Sequence, residues 1–217
     1  MYKALVFDLD GTLLDTLGDL TDAVNYALQE VGLPNRTKDE VCSFVGNGIA
    51  KLIERAVGEY AEKAESALAL FKAYYKEHCA DKTQPYEGIL PLLQDLKARG
   101  VKTAVVSNKA DFAVKALAKR YFDGLLLEAV GENESAGISK KPAPDSLLAV
   151  MQSLGVTKQE TLYIGDSDID IQTAKNAGVD CACVTWGFRS KEFLYQHGGK
   201  RFVDKPCQLL RGIACLN

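Results

Sequence analysis

Val6-Phe7-Asp8-Leu9-Asp10-Gly11-Thr12-Leu13-Leu14-Asp15-Thr16 ends a short apolar run with two aspartates two residues apart, then a glycine and a hydroxyl residue. In an extended strand, residues i and i+2 share a face. Asp8 and Asp10 are therefore expected to converge in the crevice at the carboxyl end of a strand, where open α/β sheets place their ligands. Two carboxylates that close repel each other unless a proton or a cation relieves them. The pair points to a divalent ion beside a nucleophilic or acid/base carboxylate. Taken alone, Asp-Leu-Asp-Gly fits an acidic turn after an edge strand better, because Asp and Gly are common turn formers.

The chain around this stretch alternates in a regular way. Residues 3–8 read as a buried strand. From about Asp19 to Ala80 the periodicity is helical, with Leu20, Val24, Ala27, Leu28 and Val31 forming one apolar stripe. Thr37-Lys38-Asp39-Glu40 has the form of a capped helix start. No strand is expected in that span, so residues 16–85 read as an all-helical insert. After Pro85-Tyr86-Glu87-Gly88, helices are expected at 89–99, 109–120, 144–154 and 169–177, with a terminal helix. Strands are expected at 101–107, 125–128, 161–165, 179–185 and 201–203. Strand–helix alternation of this kind indicates a doubly wound, Rossmann-like parallel sheet with helices on both faces. The expected core is residues 1–15 and 86–217, interrupted by the helical cap domain.

With 217 residues, 47% of them hydrophobic and 25% charged, the chain has the composition of an ordinary globular protein. A net charge of -3 leaves no basic footprint for nucleic acid. No apolar run approaches bilayer length, and Asp8 comes too early for a signal peptide, so neither a membrane nor secretion is expected and the cytoplasm is the expected location. Cys42, Cys79, Cys181, Cys183, Cys207 and Cys215 are scattered. Cys181-Ala182-Cys183 reads as two buried small residues on one strand face rather than a metal or redox pair. His78 and His197 are far apart, which gives a zinc site little support.

Three later segments decide how the first should be read. Val105-Val106-Ser107-Asn108-Lys109 is another apolar strand ending in a hydroxyl residue. If a helix follows at once, its amino terminus suits a phosphate, although Ser and Asn are also good helix caps. Lys140-Lys141-Pro142-Ala143-Pro144 presents Lys141 from a stiffened loop, where an ammonium can hold a phosphoryl group; two solvated loop lysines are the plain alternative. Leu162-Tyr163-Ile164-Gly165-Asp166-Ser167-Asp168-Ile169-Asp170 ends a further strand, with Asp166 and Asp170 one helical turn apart. Asp168 between them reads as a helix cap. An EF-hand is excluded because its sixth-position Gly and twelfth-position Glu are absent. Parallel strands share a carboxyl edge, so acid pair, hydroxyl, lysine and second acid pair are expected to meet there.

In order and spacing, these residues resemble the four motifs of the haloacid dehalogenase-like hydrolase superfamily, over nearly the whole chain. Phe44-Val45-Gly46-Asn47-Gly48 and Val184-Thr185-Trp186-Gly187-Phe188 are most similar to its phosphoglycolate phosphatase branch. The resemblance implies a Mg²⁺-dependent phosphomonoester hydrolase acting on a small phosphorylated metabolite. It implies Asp8 as nucleophile, Asp10 as proton donor and then base, and Thr12, Ser107, Asn108 and Lys141 as the phosphate-binding set. The metal is implied at Asp8, the Asp10 carbonyl oxygen and Asp166, supported by Asp170. A sugar phosphomutase of the beta-phosphoglucomutase kind would keep the same core residues. A receiver-like signalling module also uses a phosphorylated Asp and a Lys. Asp10 and the later acids argue against a dehalogenase. Asn47, Lys51 and Arg55 are possible substrate contacts, with Lys51 and Arg55 equally readable as a solvated helix face. A monomer or a homodimer is expected.

Overall fold

A computed structural model of the chain describes residues 1–132, 139–211 and 213. In chain order, β1 (Ala4–Phe7) and β2 (Leu14–Asp15) precede α1 (Leu17–Glu30), α2 (Lys38–Phe44), α3 (Ile49–Val57) and α4 (Ala64–His78). Then come β3 (Gln84–Pro85), α5 (Ile89–Ala98), β4 (Lys102–Ala110), α6 (Asp111–Phe122), β5 (Glu128–Glu132) and α7 (Asp145–Leu154). The last elements are β6 (Thr161–Gly165), α8 (Asp168–Ala177), β7 (Asp180–Val184), α9 (Lys191–Gln196) and β8 (Phe202–Val203). They form two compact units, one of Met1–Leu14 with Pro85–Asn217 and one of Asp15–Gln84.

The first unit is built on a six-stranded sheet of order β5-β4-β1-β6-β7-β8 in which every pairing is parallel. All four β1 residues have 0% exposure, which is why Ala-Leu-Val-Phe runs apolar without alternation: a central parallel strand is covered on both faces. The chain steps from β1 out through β4 to β5, then returns on the other side for β6, β7 and β8. The carboxyl end of β1 is therefore the topological switch point, where doubly wound folds bind ligands. Phe7 stands opposite both Val105 and Ile164. Asp8, Ser107 and Asp166 thus lie within two residues of that row.

Several boundaries differ from the sequence expectation. β4 runs on through Ser107 to Ala110, and α6 begins only at Asp111. Ser107 therefore lies inside a strand and not at a helix amino terminus. The extension is tolerated because the polar pair that follows, Asn108 and Lys109, is buried with partners and the β4–β5 register shifts between Val106 and Ala110. β5 lies at Glu128–Glu132 and not at 125–128. Gly131 lets it approach, because a Cβ there would overlap the Asp111 backbone and the Lys109 carbonyl. The short α9, capped by the Ser190 hydroxyl, was not expected, and the terminal helix is a 3₁₀ segment at Pro206–Leu210.

The second unit is helical between its two-residue strand ends. On α1, Leu17, Leu20, Val24, Ala27 and Leu28 are buried, while Val31 lies just past the helix end and is half-buried. Thr37 and Glu40 form a reciprocal capping box at the start of α2, which satisfies two orphan N–H groups. The buried Asp19 carboxylate accepts the N–H groups of Lys82 and Thr83, both at 2.9 Å, and the Thr83 hydroxyl at 2.7 Å. That ties α1 to the segment leaving the unit. Among the described residues no helix is long and apolar enough to cross a membrane. Cys181 and Cys183 sit on β7 as free thiols beside Ile171 and Leu194; Cys215 lies outside the described residues.

Candidate active site

The loop after β1 places Asp8 against Lys141, whose Nζ lies 2.8 Å from Asp8 Oδ1 and 2.7 Å from Asp170 Oδ1. The ammonium also donates to the Tyr163 hydroxyl at 2.9 Å. Lys141 and Asp170 are almost fully buried, with side-chain exposures of 4% and 1%. Burial pushes the Asp8 carboxyl up to about 6, with Asp170 and Asp10 adding and Lys141 opposing. For Lys141, burial alone would lower the pKa, but Asp170 and Asp8 outweigh it and hold the ammonium well above its usual range. Burial likewise raises the Tyr163 phenol.

Asp170 is engaged at both oxygens. Oδ1 faces Lys141 and the Tyr163 hydroxyl, and Oδ2 accepts the Ser167 N–H at 3.1 Å and its hydroxyl at 2.6 Å. Ser167, not Asp168, is the cap of α8, with Asp170 as its reciprocal partner. Asp166 is different. It accepts the Phe188 N–H at 2.7 Å and the Thr12 hydroxyl at 3.2 Å, and no lysine or arginine of the described residues pairs with it. Burial pushes its carboxyl well above the usual range, and Asp170 and Asp8 add to the shift. Gly11, at φ +82°, leaves room for this carboxylate, since a Cβ there would fall on it.

Carboxylate oxygens of Asp8, Asp166 and Asp170 lie within 4.8 Å of one another, the one such His/Cys/Asp/Glu group among the described residues. When all three ionise, three carboxylates against one ammonium, Lys141, leave two negative charges. At about 4 Å and an effective dielectric near 20, each like-charge pair costs about 4 kcal/mol. A divalent cation with oxygen ligands answers that charge and that donor set.

Asp10 stands slightly apart. Lys109 Nζ lies 3.0 and 3.2 Å from its two carboxylate oxygens, so the Asp10 side chain is outside the acid cluster. Ser107 is buried, and its hydroxyl accepts the Lys109 N–H at 3.4 Å. Asn108 reads the Lys141 backbone in both directions: Nδ2 donates to the Lys141 carbonyl at 2.9 Å and Oδ1 accepts its N–H at 2.7 Å. Its side chain therefore holds the lysine loop. Thr12, fully buried, has its hydroxyl on Asp166. Lys140, by contrast, stands at the surface 3.6 Å from Glu132.

In the helical unit, Arg55 donates to the Phe44 carbonyl at 2.7 Å and to Asn47 Oδ1 at 2.8 Å. Both residues thus brace the Phe44–Gly48 turn. Lys51 pairs with Glu54 at 2.6 Å on an exposed face.

Sequence reasoning passed over Lys109, Tyr163 and the Phe188 N–H. Lys109 carried a signal, a cation two residues past the Ser107 strand end. Tyr163 carried one too, as a phenol in a strand needing full burial, where an O–H seeks a partner. A backbone N–H leaves no mark in a sequence. Trp186, noted only for its resemblance, donates its indole N–H to the Thr12 carbonyl at 3.0 Å and so anchors the loop after β1.

Residues 5–184 match the family model of the haloacid dehalogenase-like hydrolases. A phosphoglycolate phosphatase of Pseudomonas putida is 36% identical over 222 aligned residues, covering 99% of this chain and 78% of that protein. One from Aquifex aeolicus is 34% identical over 189 residues, covering 86% of each. Among solved structures, a Lactobacillus delbrueckii protein assigned as a phosphoglycolate phosphatase aligns with a TM-score of 0.90 and 40% identity, covering 96% of both chains.

Proposed function

The chain belongs to the haloacid dehalogenase-like hydrolase family and is a phosphatase, and we propose that it hydrolyses a small phosphomonoester, phosphoglycolate, through an aspartyl-phosphate formed on Asp8. The observation that carries this reading is the meeting of Asp8, Lys141, Asp166 and Asp170 in one buried cluster at the end of β1. Phosphoglycolate as substrate is supported by the relatives of that activity at 32–37% identity.

In the first half-reaction an Asp8 oxygen attacks phosphorus while the bond to the leaving oxygen breaks. Asp10 delivers a proton to that oxygen, then accepts one from the water that attacks the aspartyl-phosphate. Lys141, aimed by Asp170 and Tyr163, neutralises the phosphoryl oxygens, and the Ser107 hydroxyl serves as a further donor to them. Asn108 keeps the Lys141 loop in place through its two backbone hydrogen bonds. The magnesium that the family implies would be held by the Asp8 and Asp166 carboxylates and the Asp10 carbonyl oxygen, with Thr12 orienting Asp166. Asp170, with every oxygen engaged, supports from behind. Bound there, the ion supplies charge neutralisation for the transferring group. The Asp15–Gln84 unit is assigned as the cap that selects the substrate.

Phosphate release from 2-phosphoglycolate and a panel of about fifty other phosphomonoesters, with and without Mg²⁺, tests the reading. The expected result is Mg²⁺-dependent release that is fastest on phosphoglycolate. A protein that frees phosphate from none of them overturns it, and interconversion of sugar phosphates without release would indicate a mutase.

A further inference from the structure

We propose that Lys109 is the positioning residue for the proton-transferring carboxylate Asp10, an inference that rests on the phosphatase reading above. Lys109 comes from the last turn-free residues of β4, and its side chain is 2% exposed. The ammonium addresses both oxygens of Asp10, at 3.0 and 3.2 Å, and so sets the plane of the carboxylate as well as its place. The backbone beneath is equally constrained. The Lys109 N–H meets Ser107 Oγ at 3.4 Å, and its carbonyl packs against Gly131 so closely that a Cβ there would overlap it.

The two buried lysines of the site divide the work. Lys141 forms its ion pairs with Asp8 and Asp170, on the side where phosphorus is attacked, whereas Lys109 forms its pair with Asp10. With Asp10 carrying a proton in the substrate complex, Asp8 bonds to phosphorus, the P–O bond breaks, and its electron pair stays on the leaving oxygen and takes that proton. The negative charge left on Asp10 then forms opposite an ammonium already fixed in place, which is how a preorganised cation lowers a barrier. A misdirected carboxylate would lose that transfer even with the substrate bound.

The test compares leaving groups. An alkyl phosphate such as phosphoglycolate departs only with a proton, whereas p-nitrophenyl phosphate has a leaving group stable as an anion. Lys109→Met is expected to lower kcat/KM about 10- to 100-fold on phosphoglycolate and less than about 3-fold on p-nitrophenyl phosphate, with thermal unfolding still cooperative. Asp10→Asn is expected to show the same preference, and the double variant to be no slower than Asp10→Asn alone, because residues acting through one another are not additive. Lys109→Gln gives the same comparison should the Met variant not fold. Equal losses on both substrates, additive losses, or no loss overturn the proposal and leave Lys109 a phosphate contact or a structural residue. A wild-type protein inactive on both substrates refutes instead the phosphatase reading.

Discussion

Two lysines face two aspartates at the end of β1, and their surroundings differ. Lys141 shares one ammonium among Asp8, Asp170 and the Tyr163 hydroxyl in a largely buried cluster. Lys109 faces both oxygens of Asp10, whose side chain keeps 13% exposure. On the Lys141 side, acids outnumber bases, a charge that a cation or protons would answer. On the Lys109 side, Asp10 has an ammonium opposite both of its oxygens. Two aspartates only two residues apart thus have different partners, and the tasks proposed for them follow from those partners.

The largest effect that could break this contrast is at Asp8. Asp8→Asn is expected to abolish phosphate release, by more than about 10³-fold, because the charge that makes the oxygen a nucleophile is gone while the shape is kept. A folded variant with ordinary turnover would remove the nucleophile from the wrong side of the comparison.

Next comes stability. Lys141→Met leaves Asp8 and Asp170 buried without their ammonium and is expected to cost about 3–5 kcal/mol. Lys109→Met, which strands one partly exposed carboxylate, is expected to cost about 1–3 kcal/mol. Urea unfolding of both variants without metal measures the difference, and equal costs would erase the distinction between the two regions.

The pH dependence sharpens it further. Asp8 ionises near pH 6 in the fold against an ordinary 3.8, so the folded state binds the extra proton and stability is lost as pH rises through this interval. In EDTA, Asp8→Asn is expected to melt higher than the wild type at pH 8, by a few °C. The gap should narrow as pH falls from 6 toward 4 and close below about 3.8, where Asp8 is protonated in both states. Added Mg²⁺ is expected to raise the wild-type melting temperature more at pH 8 than at pH 5. A gap that widens on acidification would mean that Asp8 is held ionised instead.

The smallest effect is at Tyr163. Tyr163→Phe removes one of three Lys141 partners and leaves both carboxylates, so about 1 kcal/mol of stability is expected to go. Calorimetry of that variant measures how much of the Lys141 side depends on the hydroxyl.

The sheet and the meeting of its strand ends were legible because each motif is local. An apolar run followed by a short polar sequence states both the strand and what lies at its end, and the parallel alternation states that the ends share an edge. The helical span was legible for the same reason, from the stripe on α1 and the Thr37–Glu40 cap. What stayed hidden depends on register. Ser-Asn-Lys after the apolar run 104–106 looks like a helix start, and only pairing with β5 carries β4 on to Ala110. That extension is what turns Lys109 toward Asp10. Residue type alone left Asn47 and Arg55 open as substrate contacts or plain helix face, and their hydrogen bonds within the Phe44–Gly48 turn could not be read from it.

The central claim, that phosphorus is transferred to Asp8, is tested most directly by trapping the intermediate. Enzyme mixed with substrate and Mg²⁺ is quenched and treated with borohydride, which reduces an acyl phosphate to an alcohol, and the peptides are read by mass spectrometry. Homoserine at position 8, absent from Asp8→Asn and from enzyme without substrate, is the expected result. Phosphate release with position 8 unmodified, or with the label on another residue, would contradict it.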